Sequence, residues 1–134
     1  MNIEEIVDNF SLLEDWEERY RYLIDLGGGL PPLPEEIKTE KNKVRGCMSQ
    51  VWMILEWDEG GRLSIRAESD AKIVQGLVAI LCMVFQGKTA EEIRTIDIEG
   101  IFKKLGLDQH LSPNRRNGFF AMVERIRSFT AQGT

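Results

Sequence analysis

The chain has 134 residues, 43% of them apolar, and a formal net charge of -5, enough for a single domain with one core over residues 1–134. That acidic balance argues against nonspecific affinity for nucleic acid or an anionic membrane. The start Met1-Asn2-Ile3-Glu4-Glu5 carries acids where a secretory signal carries bases, and no apolar run nears the roughly 20 residues of a membrane span, so a cytoplasmic protein is expected.

Ile3, Ile6, Val7 and Phe10 recur at helical spacing and predict a first helix. A second is expected from Trp16 to Leu26, with Asp15 and Glu18 as a capping pair and Gly27 to Gly29 as its stop. Trp16, Tyr20, Leu23 and Ile24 form its buried stripe. From Gly28 to Lys43 the chain reads as a loop, mobile in part, with Pro31, Pro32 and Pro34. Ser49 to Trp57 alternates in a way that suits a strand covered on both faces, and Asp58-Glu59-Gly60-Gly61 supplies a turn. Leu63, Ile65 and Ala67 then predict an antiparallel return strand, and Lys43 to Arg45 a short third one. Ser69 is a good N-cap for a central helix from Ala71 to Gln86, which Gly87 ends. Thr89 with Glu92 forms a capping-box pattern. Ile101, Phe102 and Leu105 mark a further helix closed by Gly106. Ser112 and Pro113 open the last helix, whose stripe is Phe119, Met122, Val123, Ile126 and Phe129. The order helices, strands, helices gives an α+β fold: a small antiparallel three-stranded sheet packed by helices.

Chemistry concentrates at Cys47, at the connection between two predicted strands. A thiol reacts as its thiolate, and with a pKa of about 8.5 only a few per cent is ionised near neutrality, so its neighbours decide its reactivity. Gly46 admits conformations closed to other residues, Arg45 can bring a positive charge, and Ser49 and Gln50 add hydrogen-bond donors. The spacing alone leaves two readings open: a reactive thiol, or a cysteine filling space at a strand edge. Cys82 falls on one helical face with Val74 and Val78 and reads as core. Two cysteines without a Cys-x-x-Cys pair, and one histidine, supply neither a zinc ribbon nor a dithiol redox motif.

The run Val44-Arg45-Gly46-Cys47-Met48-Ser49-Gln50-Val51-Trp52 resembles the Gly-Cys-Gln-Ser-Gln-Val-Trp signature of the SufE family, with Met48 replacing glutamine. Matching stretches lie on both sides. They are Asp15-Trp16-Glu17-Glu18-Arg19-Tyr20 with Leu26-Gly27 and Leu30-Pro31, then Ser69 to Leu77, then Gln109-His110-Leu111-Ser112-Pro113-Asn114-Arg115. The resemblance implies a fold similar to that of iron-sulfur scaffold proteins and a role as sulfur acceptor. A cysteine desulfurase, of the SufS or CsdA kind, would hold sulfur as a persulfide that Cys47 takes and passes to an iron-sulfur scaffold complex. Pyridoxal phosphate then belongs to the desulfurase, and this chain binds no cofactor or metal. The apolar neighbours Met48, Val51 and Trp52 lead to the expectation that the free protein tucks the sulfur away. Arg115 is expected to stabilise a persulfide anion or form an interface ion pair, or else to be an exposed helix-start residue. Asp70 sets the Cys47 loop or the docking surface, or caps the following helix; His110 polarises the thiol, meets the partner or is structural. A cluster scaffold is the main alternative, but it needs about four ligands, and Cys47, Cys82 and His110 fall short. A Cys-His hydrolase using Cys47 and His110 is the other.

Overall fold

In the computed structural model, which describes residues 2–46 and 49–132, the central element is the most apolar segment of the chain. This helix, α3 (Lys72–Phe85), is buried on nearly every side. Before it come α1 (Ile3–Leu12), α2 (Trp16–Gly28) and the hairpin β1 (Val51–Trp57) and β2 (Leu63–Ser69). After it come α4 (Ala90–Thr95), α5 (Ile98–Lys104), α6 (Leu107–His110) and α7 (Pro113–Ala131). The expected α+β class holds. The hairpin pairs antiparallel from Val51↔Ser69 to Trp57↔Leu63. Asp58 closes its turn by accepting from the Gly60 and Arg62 amides, both at 2.9 Å, with Gly61 at φ +73°.

The buried face of the hairpin carries Val51, Met53, Leu63, Ile65 and Ala67, which join the α3 and α7 stripes in one core. Val123, Met122 and Ile126 are fully buried as their spacing predicts, while Phe129 is half-buried and stacks on Trp57 at 5.4 Å. Three of the expected caps fall where the sequence put them. Asp15 accepts from the Glu18 amide and Ser112 from the Arg115 amide, and Thr89 with Glu92 makes both bonds of a capping box.

Four expectations need correcting. The sheet has two strands among the described residues, not three. Lys43 makes one isolated bridge to Trp52, with the Val44 amide 2.8 Å from the Val51 carbonyl; the chain then turns away at Gly46, φ +89°. Helix α2 does not stop at Gly27. It runs on through Gly28, because Gly27 is a contact point: a Cβ there would lie 2.7 Å from the Gly76 nitrogen of α3. Helix α3 starts at Lys72 with Ala71 as N-cap, and the Ser69 hydroxyl only accepts from the Ala71 amide. The expected stripe of α2 is uneven too, with Leu23 buried but Trp16, Tyr20 and Ile24 half-buried.

The proline-rich loop is pinned. Leu33 is buried, and two short 3-10 turns, Glu35–Ile37 and Glu40–Asn42, carry the chain back to the hairpin. Glu68 of β2 holds this segment, accepting from the Leu33 amide at 2.8 Å and pairing with the Lys38 ammonium at 2.6 Å. Lys38 also lies 5.5 Å from the Trp52 ring, so the second sheet face is covered only in part. The Lys38 hydrogen bond, helped by the Leu33 amide, pulls the Glu68 carboxyl below its ordinary 4.5 against a smaller opposing effect of burial. A depressed folded-state value contributes stability above the unfolded value and loses it as pH falls through the folded one. Urea midpoints between about pH 6 and pH 3 should therefore fall less steeply in Glu68→Gln than in the parent chain. Parallel curves for the two would refute the assignment.

Candidate functional site

Cys47 and Met48 lie outside the described residues, and with them the expectation of a tucked sulfur. The two stems that carry them are described in full, and each is fixed by a different part of the fold. On the incoming side Val44 is buried, and its amide is held by β1. Arg125 of α7 donates to the Lys43, Lys41 and Met53 carbonyls at 2.9, 3.2 and 3.4 Å. Gly46 follows in a left-handed conformation, and a Cβ on it would sit 3.3 Å from the Ala121 side chain of α7. The positive φ favours glycine, and the close approach leaves little room for a larger residue.

On the outgoing side Gln50 and Asp70 clasp each other twice. The Gln50 amide donates to the Asp70 carboxylate at 3.1 Å, and the Asp70 amide to the Gln50 carbonyl at 3.2 Å. Of the two readings weighed for Asp70, the geometry is that of a loop tie, since its carboxylate caps no helix. Gln75 of α3 secures the same corner, accepting from the Ser69 amide at 2.6 Å. Ser49 is half-buried and the Gln50 side chain exposed.

The other expected residues are placed differently. Arg45 is exposed and lies 3.6 Å from Glu40, an open ion pair that adds little to stability. His110 ends α6 with its ring stacked on Trp16, 4.0 Å between centroids, and its carbonyl accepts the Tyr20 hydroxyl. Its described contacts are thus with α2 and not with either stem. Arg115 is exposed in the first turn of α7, where its guanidinium pairs with no carboxylate among the described residues. Cys82 is half-buried beside a cavity of about 90 Å³ under the proline-rich loop, and burial pushes its thiol up to about 11. At neutral pH it is a protonated, inert group. Among the described residues no three His, Cys, Asp or Glu side chains gather as a metal site, and no helix is long and apolar enough to cross a membrane.

Arg125 is the site residue that the sequence reading missed. A signal existed: it lies three residues after Met122 and four before Phe129, so the apolar periodicity of α7 puts it on an inward-facing side. A cation there needs partners, and main-chain carbonyls supply them.

Comparison with known proteins bears on what these stems carry. A family model described as SufE, Fe-S metabolism associated domain, matches residues 4–130. An uncharacterised SufE-like protein of Rhizobium meliloti is 48% identical over 130 residues, covering 95% of this chain and 93% of its own. Another from Rhizobium etli is 48% identical over 129 residues, with 94% and 87% covered. In three dimensions the chain is similar to the solution structure of a hypothetical protein from Thermus thermophilus. The TM-score is 0.76 at 20% identity, with 97% of this chain and 93% of that one covered, which supports the fold. With a family match over nearly its whole length and relatives at 48% identity, this chain belongs to the SufE family.

Proposed function

We propose that the protein is a sulfur acceptor and carrier of iron-sulfur cluster assembly in the cytoplasm, with Cys47 as the atom that is loaded. The observation that carries this is the whole-length family match, with Cys47 standing where the resemblance puts the family's acceptor cysteine. The donor is a cysteine desulfurase, which keeps its own pyridoxal phosphate, and the recipient is an iron-sulfur scaffold complex. The Cys47 thiolate attacks the outer sulfur of the donor persulfide. A sulfur–sulfur bond forms to Cys47 as the one to the donor cysteine breaks, and the donor leaves as a thiolate. The persulfide changes host, so no oxidant or reductant is consumed.

The fixed stems fit this role, because exchange between two proteins depends on where the thiol is offered as well as on its ionisation. Cys82 and His110 support a carrier over a cluster scaffold: one is a half-buried, protonated thiol and the other is held against Trp16.

The test is to incubate the protein with a desulfurase, pyridoxal phosphate and cysteine and weigh it intact. A thiol-reversible gain of one sulfur atom is expected, lost in Cys47→Ser and kept in Cys82→Ser. A gain that survives Cys47→Ser would disprove the assignment. So would a stable iron-sulfur chromophore on reconstitution with iron and sulfide.

A further inference from the structure

Arg125 occupies an unusual place for an arginine. Among the described residues it pairs with no carboxylate, and its donors go to three main-chain carbonyls instead. Those carbonyls come from both sides of Cys47. Lys41 and Lys43 precede it, and Met53 lies beyond it in β1. The guanidinium therefore ties the incoming stem to the strand that follows the loop, across the one-residue bridge between Lys43 and Trp52. One helical turn earlier on α7, Ala121 faces Gly46. Helix α7 thus meets this stem at two points, a charged fork and an apolar rest.

From this arrangement we infer that Arg125 is a positioning residue for sulfur uptake: by holding the two arms around Cys47 together on α7, it fixes where the thiol is offered to a donor persulfide. The inference rests on the sulfur-acceptor reading above. The planar, always charged guanidinium suits the task, since it can reach several carbonyls at once in a fixed geometry, whereas an ammonium is a point charge. Removing it leaves half-buried carbonyls without their charged donor and lets the bridge between the arms open. A displacement of about 1 Å at a reacting atom is enough to slow a reaction by one or two orders of magnitude. Docking of the donor protein, by contrast, is expected to depend little on a half-buried guanidinium whose donors are taken up by the stem's own carbonyls.

The experiment measures initial rates of sulfur uptake by intact mass, with a fixed amount of desulfurase, pyridoxal phosphate and cysteine and increasing amounts of the full chain. Arg125→Met is expected to lower the limiting rate about ten-fold while the half-saturating concentration changes less than about two-fold. Urea unfolding of each variant shows that folded protein is being compared. A limiting rate equal to that of the parent chain overturns the inference, as does a loss confined to the half-saturating concentration. If Arg125→Met does not fold, Arg125→Lys is read instead; it keeps the charge and reaches fewer carbonyls. A limiting rate lowered about three-fold is then expected, and the parental rate overturns the inference. Failure of the parent chain itself to gain sulfur would defeat the acceptor reading, and is thereby distinguished from failure of the role of Arg125.

Discussion

Gly76→Ala should destabilise the protein, although it replaces a glycine inside a helix by the residue with the best helix propensity. On propensity alone the change is worth about 1 kcal/mol in favour of alanine. At Gly76, however, helices α2 and α3 meet backbone to backbone, and an added Cβ would lie 2.7 Å from the Leu23 carbonyl carbon and 3.0 Å from the Leu23 Cβ. Neither atom is the far end of a flexible side chain, so relief requires the helices to move apart. Gly27 presses on the same contact from the other side. Overpacking in a rigid core costs about 1–3 kcal/mol, and more where backbone must shift. Gly76→Val, with two further carbons and a branched Cβ, should therefore lose roughly 3 kcal/mol or more, a large share of the 5–15 kcal/mol typical of a domain. Its melting temperature should fall by about 10 °C. Gly28→Ala supplies the contrast, because no atom lies within 4 Å of its added Cβ. There the ordinary propensity gain of about 0.5–1 kcal/mol is expected. Thermal or urea unfolding of the three variants decides the matter. Stabilisation by Gly76→Ala would show that the two helices separate at little cost.

Those glycines also show where sequence reading stops. Periodicity and caps are local, and the elements that depend on them are legible: Asp15, Thr89 with Glu92, and Ser112 all cap the helices they introduce. The hairpin is legible for the same reason, since Asp58 and Gly61 make a turn between two alternating runs. A run of glycines, by contrast, reads as a stop signal when it is met as a string. That Gly27 lies inside α2 follows only from its nearness to Gly76, which is some fifty residues away in the chain. Ser69 and Asp70 look like a helix start, yet other partners override that pattern: Gln75, one turn into α3, takes the Ser69 amide, and Gln50 on the far side of the hairpin draws in the Asp70 carboxylate. Helix α6, with four residues, is too short to show a period at all. At the site, Cys47 stands out through its motif; of the two groups that hold its stems, Arg125, far away in the chain, is not anticipated, whereas Asp70 is anticipated as one of two readings.

The second of those groups yields the larger functional expectation. Asp70→Ala should reduce the rate of sulfur uptake by Cys47 about ten-fold while costing less than about 1 kcal/mol of stability. The stability cost is small because the Asp70 carboxylate is exposed, and water replaces much of what it gives the Gln50 amide. The return bond, from the Asp70 amide to the Gln50 carbonyl, survives any side chain at this position. What the alanine removes is the second half of a two-point clasp. One bond allows the outgoing stem to pivot; two fix its direction. Since Gln50 lies three residues beyond Cys47, a pivot there is passed on to the thiol. Asp70→Asn keeps an acceptor oxygen in the same place and should retain most of the rate, which separates the loss of the clasp from the loss of a negative charge. The same intact-mass assay reads all three proteins. If Asp70→Asn fell as far as Asp70→Ala, charge on the docking surface would be the operative property; if Asp70→Ala kept the parental rate, the clasp would have no part in presenting the thiol.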